Sequence, residues 1–196
     1  MPDTLVIRKA TLKDADSIAT YLLLAMEDIV YAFLGEKNLV EAKNLLRYFT
    51  AKENNQYSYQ NCWVAENEAG IVAAINVYDG AQLHALRQPV IERIQHMYKK
   101  DFTPEDETEA GEFYIDTLGV HPQHQGKGIG SKLLQFLINE YVNNRGETLG
   151  LLVDETNPNA KRLYIRLGFK TVGNKVLVGK PMEHLQIRAG KWSTIL

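Results

Sequence analysis

Cysteine is almost absent from this 196-residue chain, in which Cys62 is the only one. A single cysteine excludes a disulfide within the chain and fits a reducing compartment, so we expect a cytoplasmic protein. Trp63, Val64 and Ala65 follow Cys62 in a run typical of a β-strand. We therefore expect a packed thiol rather than a catalytic nucleophile.

An excess of charge of either sign is also missing. Lys and Arg number 22 and Asp and Glu number 24, so the formal net charge of -2 gives no reason to predict nucleic-acid binding. No uninterrupted apolar run approaches about 20 residues, and the first ten residues lack the apolar centre of a secretory signal, so no membrane partner is predicted. The five histidines are scattered, and no metal site is predicted.

Apolar periodicity predicts most elements of the first half. A strand at residues 5–7 precedes a helix that begins at a Thr11–Asp14 capping box, and after a loop a second helix follows Gly35. The strand-like runs 62–66 and 71–78 are separated by a short loop that ends in glycine, which predicts a hairpin.

Residues 79–111 carry the least pattern. Pro89 is expected to open a helix that ends near Tyr98. Residues 103–111 are acidic and lack apolar periodicity, which predicts a mobile surface loop. The alternative for this acidic stretch is attraction of a cationic amine.

An anion-binding loop is predicted after the next strand, which starts near Glu112. That strand leads through the turn at His121-Pro122 to Gly126, Gly128 and Gly130 and then into a helix. Glycines allow backbone N–H groups to point inward, and a helix start adds unpaired N–H groups and a positive dipole end. This arrangement suits a phosphate, although it matches neither the Walker nor the dinucleotide glycine pattern.

The remaining elements follow in the order helix, strand, helix and hairpin. The strand at 149–153 is apolar and nearly free of charge, so it should pair in parallel with the strand before the loop. Asn157 fits the N-cap of a helix that ends at Gly168. A closing hairpin is expected around Gly173-Asn174.

Two signatures together resemble a known family. Residues 125–130 read Q-x-x-G-x-G, and residues 157–169 read N-x-x-A-x-x-L-Y-x-x-x-G-F. Both are similar to signatures of the GNAT superfamily of N-acetyltransferases. The resemblance implies an α/β (α+β) fold with a mixed, mainly antiparallel twisted sheet, flanking helices and a central parallel strand pair that splays to hold acetyl-CoA. It implies an N-acetyltransferase domain at 5–187, followed by a C-terminal tail at 188–196.

The same resemblance assigns residues to acetyl-CoA. In the family, loop amides hold the pyrophosphate, and the strand before the loop aligns the pantetheine arm and the acetyl oxygen. The implied cofactor-binding residues are Leu118, Val120, Gln125, Gly126, Lys127, Gly128, Ile129, Gly130, Ser131, Asn157 and Tyr164. Leu118 and Val120 are also typical core positions, and a helix N-cap explains Asn157 completely, so both interpretations stay open.

Candidate catalytic residues follow from the same mapping. Tyr164 corresponds to the family's general acid, and a phenol with a pKa near 10 stays protonated at neutral pH. The position that often holds a glutamate base is Tyr114 here. Strand alternation would place Glu112, Tyr114, Asp116, Leu118 and Val120 on one face, so Glu112 is the preferred base and Asp116 the second. Both carboxylates are equally explained by substrate binding or salt bridges.

The resemblance also implies the reaction. Acetyl would pass directly from acetyl-CoA to a primary amine of a small molecule or of a protein or peptide, in a monomer or homodimer. The alternative is a non-catalytic acyl-CoA sensor. The loop between the first two helices would flank the acceptor, which makes its polar and aromatic residues candidate contacts unless it is a solvated junction: Asp28, Tyr31, Phe33 and Glu36.

Overall fold

A single seven-stranded sheet organises the computed structural model, which describes residues 5–99 and 103–190. The strands are β1 (Val6–Lys9), β2 (Cys62–Asn67), β3 (Gly70–Asp79), β4 (Phe113–Val120), β5 (Thr148–Asp154), β6 (Lys170–Leu177) and β7 (Lys180–Arg188). Their order is β1-β2-β3-β4-β5-β7-β6, and only β4 and β5 are parallel. The predicted mixed, mainly antiparallel sheet with a central parallel pair is confirmed.

Helices cover both faces of this sheet. They are α1 (Ala15–Leu34), α2 (Leu39–Thr50), α3 (Leu83–Tyr98), α4 (Ile129–Leu137), which continues in a π-helical segment at Ile138–Asn143, and α5 (Pro158–Arg166). Residues of α1, α2 and α3 form one apolar core, and α4 and α5 pack in a second core on the other face. Each core depends on fully buried side chains such as Leu22 and Phe49 in the first and Leu133 and Phe169 in the second.

The first helix is longer than predicted. It continues past the expected loop to Leu34 and ends at Gly35, whose N–H donates to the carbonyl of Tyr31. Met26 has non-helical dihedrals (φ -128°, ψ 26°) and bends α1 in the middle. Three of the candidate acceptor contacts therefore lie on a helix, and only Glu36 lies in the connection: Asp28, Tyr31 and Phe33.

Helix α1 is apolar because it is a core helix. With the preceding turn, Leu12–Leu34 is long and apolar enough by length and composition to cross a membrane, with a mean hydropathy of 1.5. Half of this stretch is buried inside the protein, where Ile18 and Leu22 have no exposed surface. Packing accounts for these side chains, and the absence of a membrane partner stays a prediction.

Two further elements differ from the sequence-based prediction. Helix α3 begins at Leu83, six residues before Pro89, because packing of its apolar side outweighs the backbone hydrogen bond lost at proline. Strand β6 runs straight through Gly173, which marks a register shift rather than a turn. The chain reverses at Val178-Gly179, where both residues have positive φ (49° and 72°).

The predicted surface loop at 103–111 is instead partly buried. Glu107 and Thr108 are 4% and 2% exposed, so this acidic segment is packed against the domain. Arg87 holds it: Nη1 donates to the carbonyl of Pro104 (3.3 Å) and Nη2 to that of Glu105 (3.0 Å). The prediction of a mobile loop was wrong because acidic composition does not reveal a buried cationic partner on α3.

The parallel pair separates after three residues. Residues 113–115 pair with 149–151, and no further pairing joins β4 to β5 in the described chain. Beyond that point β4 stays paired with β3 as far as Val120, and β5 stays paired with β7 as far as Asp154. The two strands therefore diverge and leave a gap in the middle of the sheet.

The boundary at residue 187 is not resolved by the fold. Strand β7 extends through Arg188, the first residue assigned to the tail, and the description ends at residue 190. Residues 191–196 of the predicted tail lie outside the described residues. The division into a domain and a tail stays a prediction.

Gly119 should be required for α1 to approach β4. A Cβ at Gly119 would lie 1.8 Å from the backbone oxygen of Tyr21, whereas a Cβ at Gly173 would meet nothing within 4 Å. We expect Gly119→Ala to lower the free energy of unfolding by about 3 kcal/mol. Gly173→Ala, the matched control, should change it by less than about 0.5 kcal/mol. Equal stabilities of the two variants in denaturant titration would contradict this account of helix packing.

Candidate active site

The gap between β4 and β5 is the floor of a cleft of about 600 Å³. A second cavity of about 460 Å³ adjoins it at the mouth and shares residues of α1 and of the β6–β7 turn. The cleft brings together seven residues that the sequence analysis selected: Phe33, Asp116, Leu118, Val120, Gln125, Asn157 and Tyr164.

The glycine loop beside the cleft has the geometry of an anion site. Gly126 and Gly128 have φ of 74° and 79°, and the space where a Cβ would stand is open at both. No side chain caps the start of α4, so the first N–H groups of the helix have no intrahelical acceptor. Gln125 turns back to donate from Nε2 to the carbonyl of Val120 (3.1 Å). The backbone N–H groups at the start of α4 have no capping side chain and face open space, an arrangement that suits a pyrophosphate group.

The other loop residues contribute mainly backbone. Lys127 is exposed in the loop, and Ile129, the first residue of α4, is buried and packs in the core. Gly130 lies in the first helical turn, where an added Cβ would make ordinary contacts with Leu118 and Val120 at 3.5 and 3.8 Å. Ser131 is half-buried in the same turn. Any cofactor contact here would therefore depend on main-chain N–H groups more than on side chains.

A bulge in β4 separates residues that were expected to share a face. Tyr114 pairs with Tyr78 and Leu118 with Ile75, positions three apart on β3 and hence on opposite faces. Asp116 is the extra residue on β4 that causes this change. The prediction of a single face was wrong. The side chains of Leu118 and Val120 point towards Gly130 in α4.

Tyr164 reaches the cleft from α5. Its ring packs edge-on against Phe169, with ring centres 6.0 Å apart, and burial raises the pKa of the phenol. Tyr164 therefore carries its proton at neutral pH. Asn157 also lines the cleft, and its Oδ1 accepts the N–H of Ala160 (3.1 Å) as the N-cap of the same helix.

Two carboxylates, the buried Glu107 and the half-buried Asp116, face the cleft from the other side of the sheet. The Nε2 of Gln56 donates to Oε1 of Glu107 (2.7 Å) and to Oδ2 of Asp116 (2.8 Å), so one amide bridges them. Tyr78 donates its hydroxyl to Glu107 (2.9 Å), and Thr117 donates to Asp116 (2.8 Å). These hydrogen bonds hold both acids beside the reaction space.

The two carboxylates are tuned to hold a proton. Burial raises the pKa of both Asp116 and Glu107, and the charge of Asp116 raises that of Glu107 further. The Arg87 guanidinium, which forms an ion pair with Glu107, opposes this rise at each group. Their raised pKa values make these carboxylates stronger proton acceptors than ordinary surface carboxylates. Sequence analysis missed Glu107, whose only signal was the suggestion that its acidic segment attracts an amine.

Glu112, the preferred base in the sequence analysis, lies elsewhere. It is 3% exposed, does not line the cleft, and accepts hydrogen bonds from Thr108 (2.6 Å), His184 (2.9 Å) and Gln186 (2.7 Å). Burial acts to raise the pKa of Glu112, but the hydrogen bonds from His184, Thr108 and Gln186 lower it overall. A fully hydrogen-bonded carboxylate of low pKa is an anchor for the acidic segment. Asp116 is therefore a better candidate for the general base than Glu112, which reverses the order expected from the sequence.

The four candidate acceptor contacts separate into two groups. Phe33 lines the cleft, and Asp28 lines the mouth cavity, where it pairs with Lys180 at 3.5 Å. Tyr31 instead donates to Glu27 (2.6 Å), and Glu36 accepts from Asn38 (3.3 Å). Neither Tyr31 nor Glu36 borders the cleft or the mouth cavity within the described residues.

Comparison with known proteins points to one group. The sequence model of the Acetyltransferase (GNAT) family matches residues 25–169. Over 62 residues the chain is 40% identical to the N-alpha-acetyltransferase RimI of Mycobacterium tuberculosis, a segment that is 32% of this chain and 37% of that protein. Matched segments span only 27% to 39% of the curated relatives' lengths.

Two solved structures share the fold. An N-acetyltransferase from Staphylococcus aureus Mu50 superposes with a TM-score of 0.81 at 23% identity, over 93% of this chain and 100% of that chain. The protein yncA from Salmonella typhimurium, solved with its cofactor acetyl-CoA, superposes with a TM-score of 0.57 at 20% identity, over 96% of each chain. Both similarities cover nearly the entire chain described above.

Gly128→Val should impair binding of acetyl-CoA. Valine is strained at a φ of 79°, and its side chain would enter the open space in front of the uncapped helix. We expect calorimetry to show at least about a tenfold loss of affinity, or about 1.4 kcal/mol. Gly130→Ala is the control, because its Cβ makes only ordinary contacts, and it should bind within about threefold of the wild type. Unchanged affinity in a folded Gly128→Val protein would refute the assignment of this loop to phosphate.

Proposed function

The chain belongs to the Acetyltransferase (GNAT) family, and from this premise we propose that it transfers acetyl from acetyl-CoA directly to a primary amine in the cleft. One observation carries the proposal. A single cavity joins a half-buried, protonated tyrosine, Tyr164, to a pair of carboxylates, the half-buried Asp116 and the buried Glu107, beside an uncapped glycine loop. The amine belongs to a small molecule or to a protein or peptide.

The cofactor end of the cleft is supported by two features. The amides of the glycine loop and the start of α4 would hold the pyrophosphate of acetyl-CoA, which supplies an activated acetyl thioester. The separation of β4 from β5 leaves the inner edges of residues 116–120 and 152–154 without strand partners among the residues that the structure describes. These edges offer backbone groups for the pantetheine arm, in keeping with the roles assigned to Leu118 and Val120.

The base is assigned to the Asp116–Glu107 pair. An amine arrives mainly as an ammonium and must lose a proton before its nitrogen can attack the thioester. The pair accepts this proton, because burial has raised both pKa values while Arg87 keeps negative charge in place. Gln56 bridges the two acids and fixes their orientation towards the cleft.

The acid is assigned to Tyr164. As the new C–N bond forms and the C–S bond breaks, the sulfur of the leaving group gains negative charge. The Tyr164 hydroxyl donates its proton to that sulfur, and the tyrosinate is reprotonated from solvent. The nitrogen loses two protons in all, one to the carboxylate pair before attack and one after the C–N bond has formed. Sulfur gains one proton through Tyr164, so the products are CoA thiol, an amide and one proton released to solvent.

Direct transfer agrees with the environment of Cys62. Its side chain is fully buried, and burial raises the pKa of the thiol to about 12. A buried thiol of such high pKa is a poor nucleophile. Cys62 is also absent from the lining of the cleft, so no cysteine is placed to carry the acetyl group.

Release of CoA thiol from acetyl-CoA tests the reaction and the role of Tyr164. We expect the wild type to release thiol only when an amine is added, from a panel of polyamines, aminoglycosides, aralkylamines, amino acids and peptides with free N-termini. Tyr164→Phe should lower kcat by about tenfold to a thousandfold and leave the affinity for acetyl-CoA near the wild-type value.

Tyr59→Phe is the matched control, because Tyr59 is half-buried outside the cleft and its hydroxyl donates to Glu53 (2.7 Å). Its kinetics should equal those of the wild type. Equal turnover in Tyr164→Phe would remove this tyrosine from the mechanism. Binding of acetyl-CoA without thiol release for any acceptor would favour the non-catalytic sensor.

Asp116→Asn should impair the base. We expect kcat/KM to fall by about a hundredfold or more, because the proton acceptor loses its charge. The activity that remains should show its acidic limb at lower pH than the wild type, since Glu107 no longer feels the charge that raises its pKa. Asp16→Asn, which removes a surface carboxylate paired with Arg47, should leave the pH profile unchanged.

Unfolding measurements separate this role from a purely structural one. A raised carboxyl pKa means that the folded state binds more protons, so its stabilising effect is present at low pH and is lost as pH rises through the raised pKa. The free energy of unfolding of the wild type relative to Asp116→Asn should therefore fall from about pH 4 to pH 8. A rise over that range would contradict the assigned pKa shift.

A further inference from the structure

We infer that the acceptor is an amine on an apolar group that bears no carboxylate, so that free amino acids are excluded. This inference rests on the proposed function and narrows its substrate class. It follows from the charges that line the acceptor end of the cleft, from the contacts of the two cations found there, and from the apolar wall opposite them.

Carboxylates outnumber cations around the acceptor. Of the described residues that line the cleft and the mouth cavity, two are cationic, Arg87 and Lys180. Five are acidic: Glu27, Asp28, Glu107, Asp116 and Asp154. This excess attracts a cationic amine and repels an anionic acceptor.

Both cations already have anionic partners. The Arg87 side chain is 5% exposed, and its Nη atoms donate to Glu107, to Asp106 (2.9 Å) and to two carbonyls of the acidic segment. Lys180 pairs with Asp28 at the mouth. For Arg87 to bind a substrate carboxylate, the acidic segment that delivers Glu107 would have to be released.

An α-carboxylate would therefore be unpaired at the reaction site. In an amino acid the carboxylate is attached to the carbon that bears the amine, so it stays within a few bond lengths of the reacting nitrogen and enters the same end of the cleft as Asp116 and Glu107. The buried Glu107 and the half-buried Asp116 already occupy that end. A third carboxylate, moved there from water, would be repelled by these two and would lose its hydration without gaining a cationic partner.

The rest of the acceptor end suits an apolar group. Its wall is built from α1, α3 and the β6–β7 turn: Leu24, Met26, Ile29, Phe33, Val90, Leu177, Val178 and Met182. An apolar substituent on the amine would bury its surface here without displacing a charged partner. Simple aralkylamines and the N-terminal residue of a peptide share these features.

Three acceptors with the same aromatic group test the inference: 2-phenylethylamine, L-phenylalaninamide and L-phenylalanine. Thiol release is measured across pH, so that rates are compared at equal concentrations of neutral amine. We expect kcat/KM for phenylalaninamide to exceed that for phenylalanine by at least about a hundredfold, the size of an unpaired like charge. Preference for phenylalaninamide over phenylethylamine would point to a peptide amine, and the reverse to a small aralkylamine.

Leu24→Arg supplies the missing cation. Leu24 is 46% exposed on α1 and lines both cavities, so arginine can replace it without burial. We expect this variant to raise kcat/KM for phenylalanine by at least about tenfold relative to the neutral control Leu24→Gln. The value for phenylalaninamide should stay level or fall.

The outcomes distinguish the two proposals. Equal use of phenylalanine and phenylalaninamide, or turnover of spermidine without turnover of any aromatic amine, would overturn the inference and leave the acetyltransferase reaction standing. Failure of every acceptor in the wider amine panel to release thiol would overturn the proposed function itself.

Discussion

The early end of pairing between β4 and β5 is the constraint on which the site depends. Three residue pairs join these parallel strands. Beyond Ile115 on β4 and Leu151 on β5, each strand is paired only with its outer neighbour in the part of the chain that the structure describes. Backbone N–H and C=O groups at a sheet interior need partners, so the free inner edges are suited to a ligand that supplies them. The bulge at Asp116 lies at this same point and turns the following residues of β4 over. The bulge in β4 therefore lies where the cleft opens and also directs the Asp116 carboxylate towards the cleft.

The acidic segment is held in place by buried charges that contribute little to the stability of the fold. Burying Arg87 with Glu107 removes two charges from water, and such pairs stabilise a fold weakly or not at all. Here the guanidinium also satisfies two carbonyls and Asp106, which offsets part of that cost and ties the segment to α3. Glu112 secures the other end through Thr108. The arrangement is explained by what it delivers, a second carboxylate beside Asp116.

Local sequence predicted the parts of the site that depend on local conformation. Positive φ at Gly126 and Gly128 and the N-cap at Asn157 are set by a few neighbouring residues, so the loop and α5 could be placed without a structure. The β4 bulge and the burial of Glu107 arise from pairing with β3 and from Arg87 on α3, which no local pattern reveals. For the same reason strict alternation placed Glu112 and Asp116 on one face together with Leu118 and Val120. The full length of α1 could have been predicted from the sequence, since Val30 and Phe33 continue its apolar face and are buried.

The acid and the base approach from opposite faces of the sheet. Tyr164 packs with the core beneath α4 and α5, whereas Gln56, Tyr78 and the acidic segment lie on the side of α1 and α3. In a continuous sheet the backbone layer would separate these groups, because side chains project about 5 Å away from it on each face. The gap between β4 and β5 removes that layer at one place. A proton can then be accepted on one side and donated on the other across a single bound thioester, so the same opening that admits the cofactor also unites its acid and base.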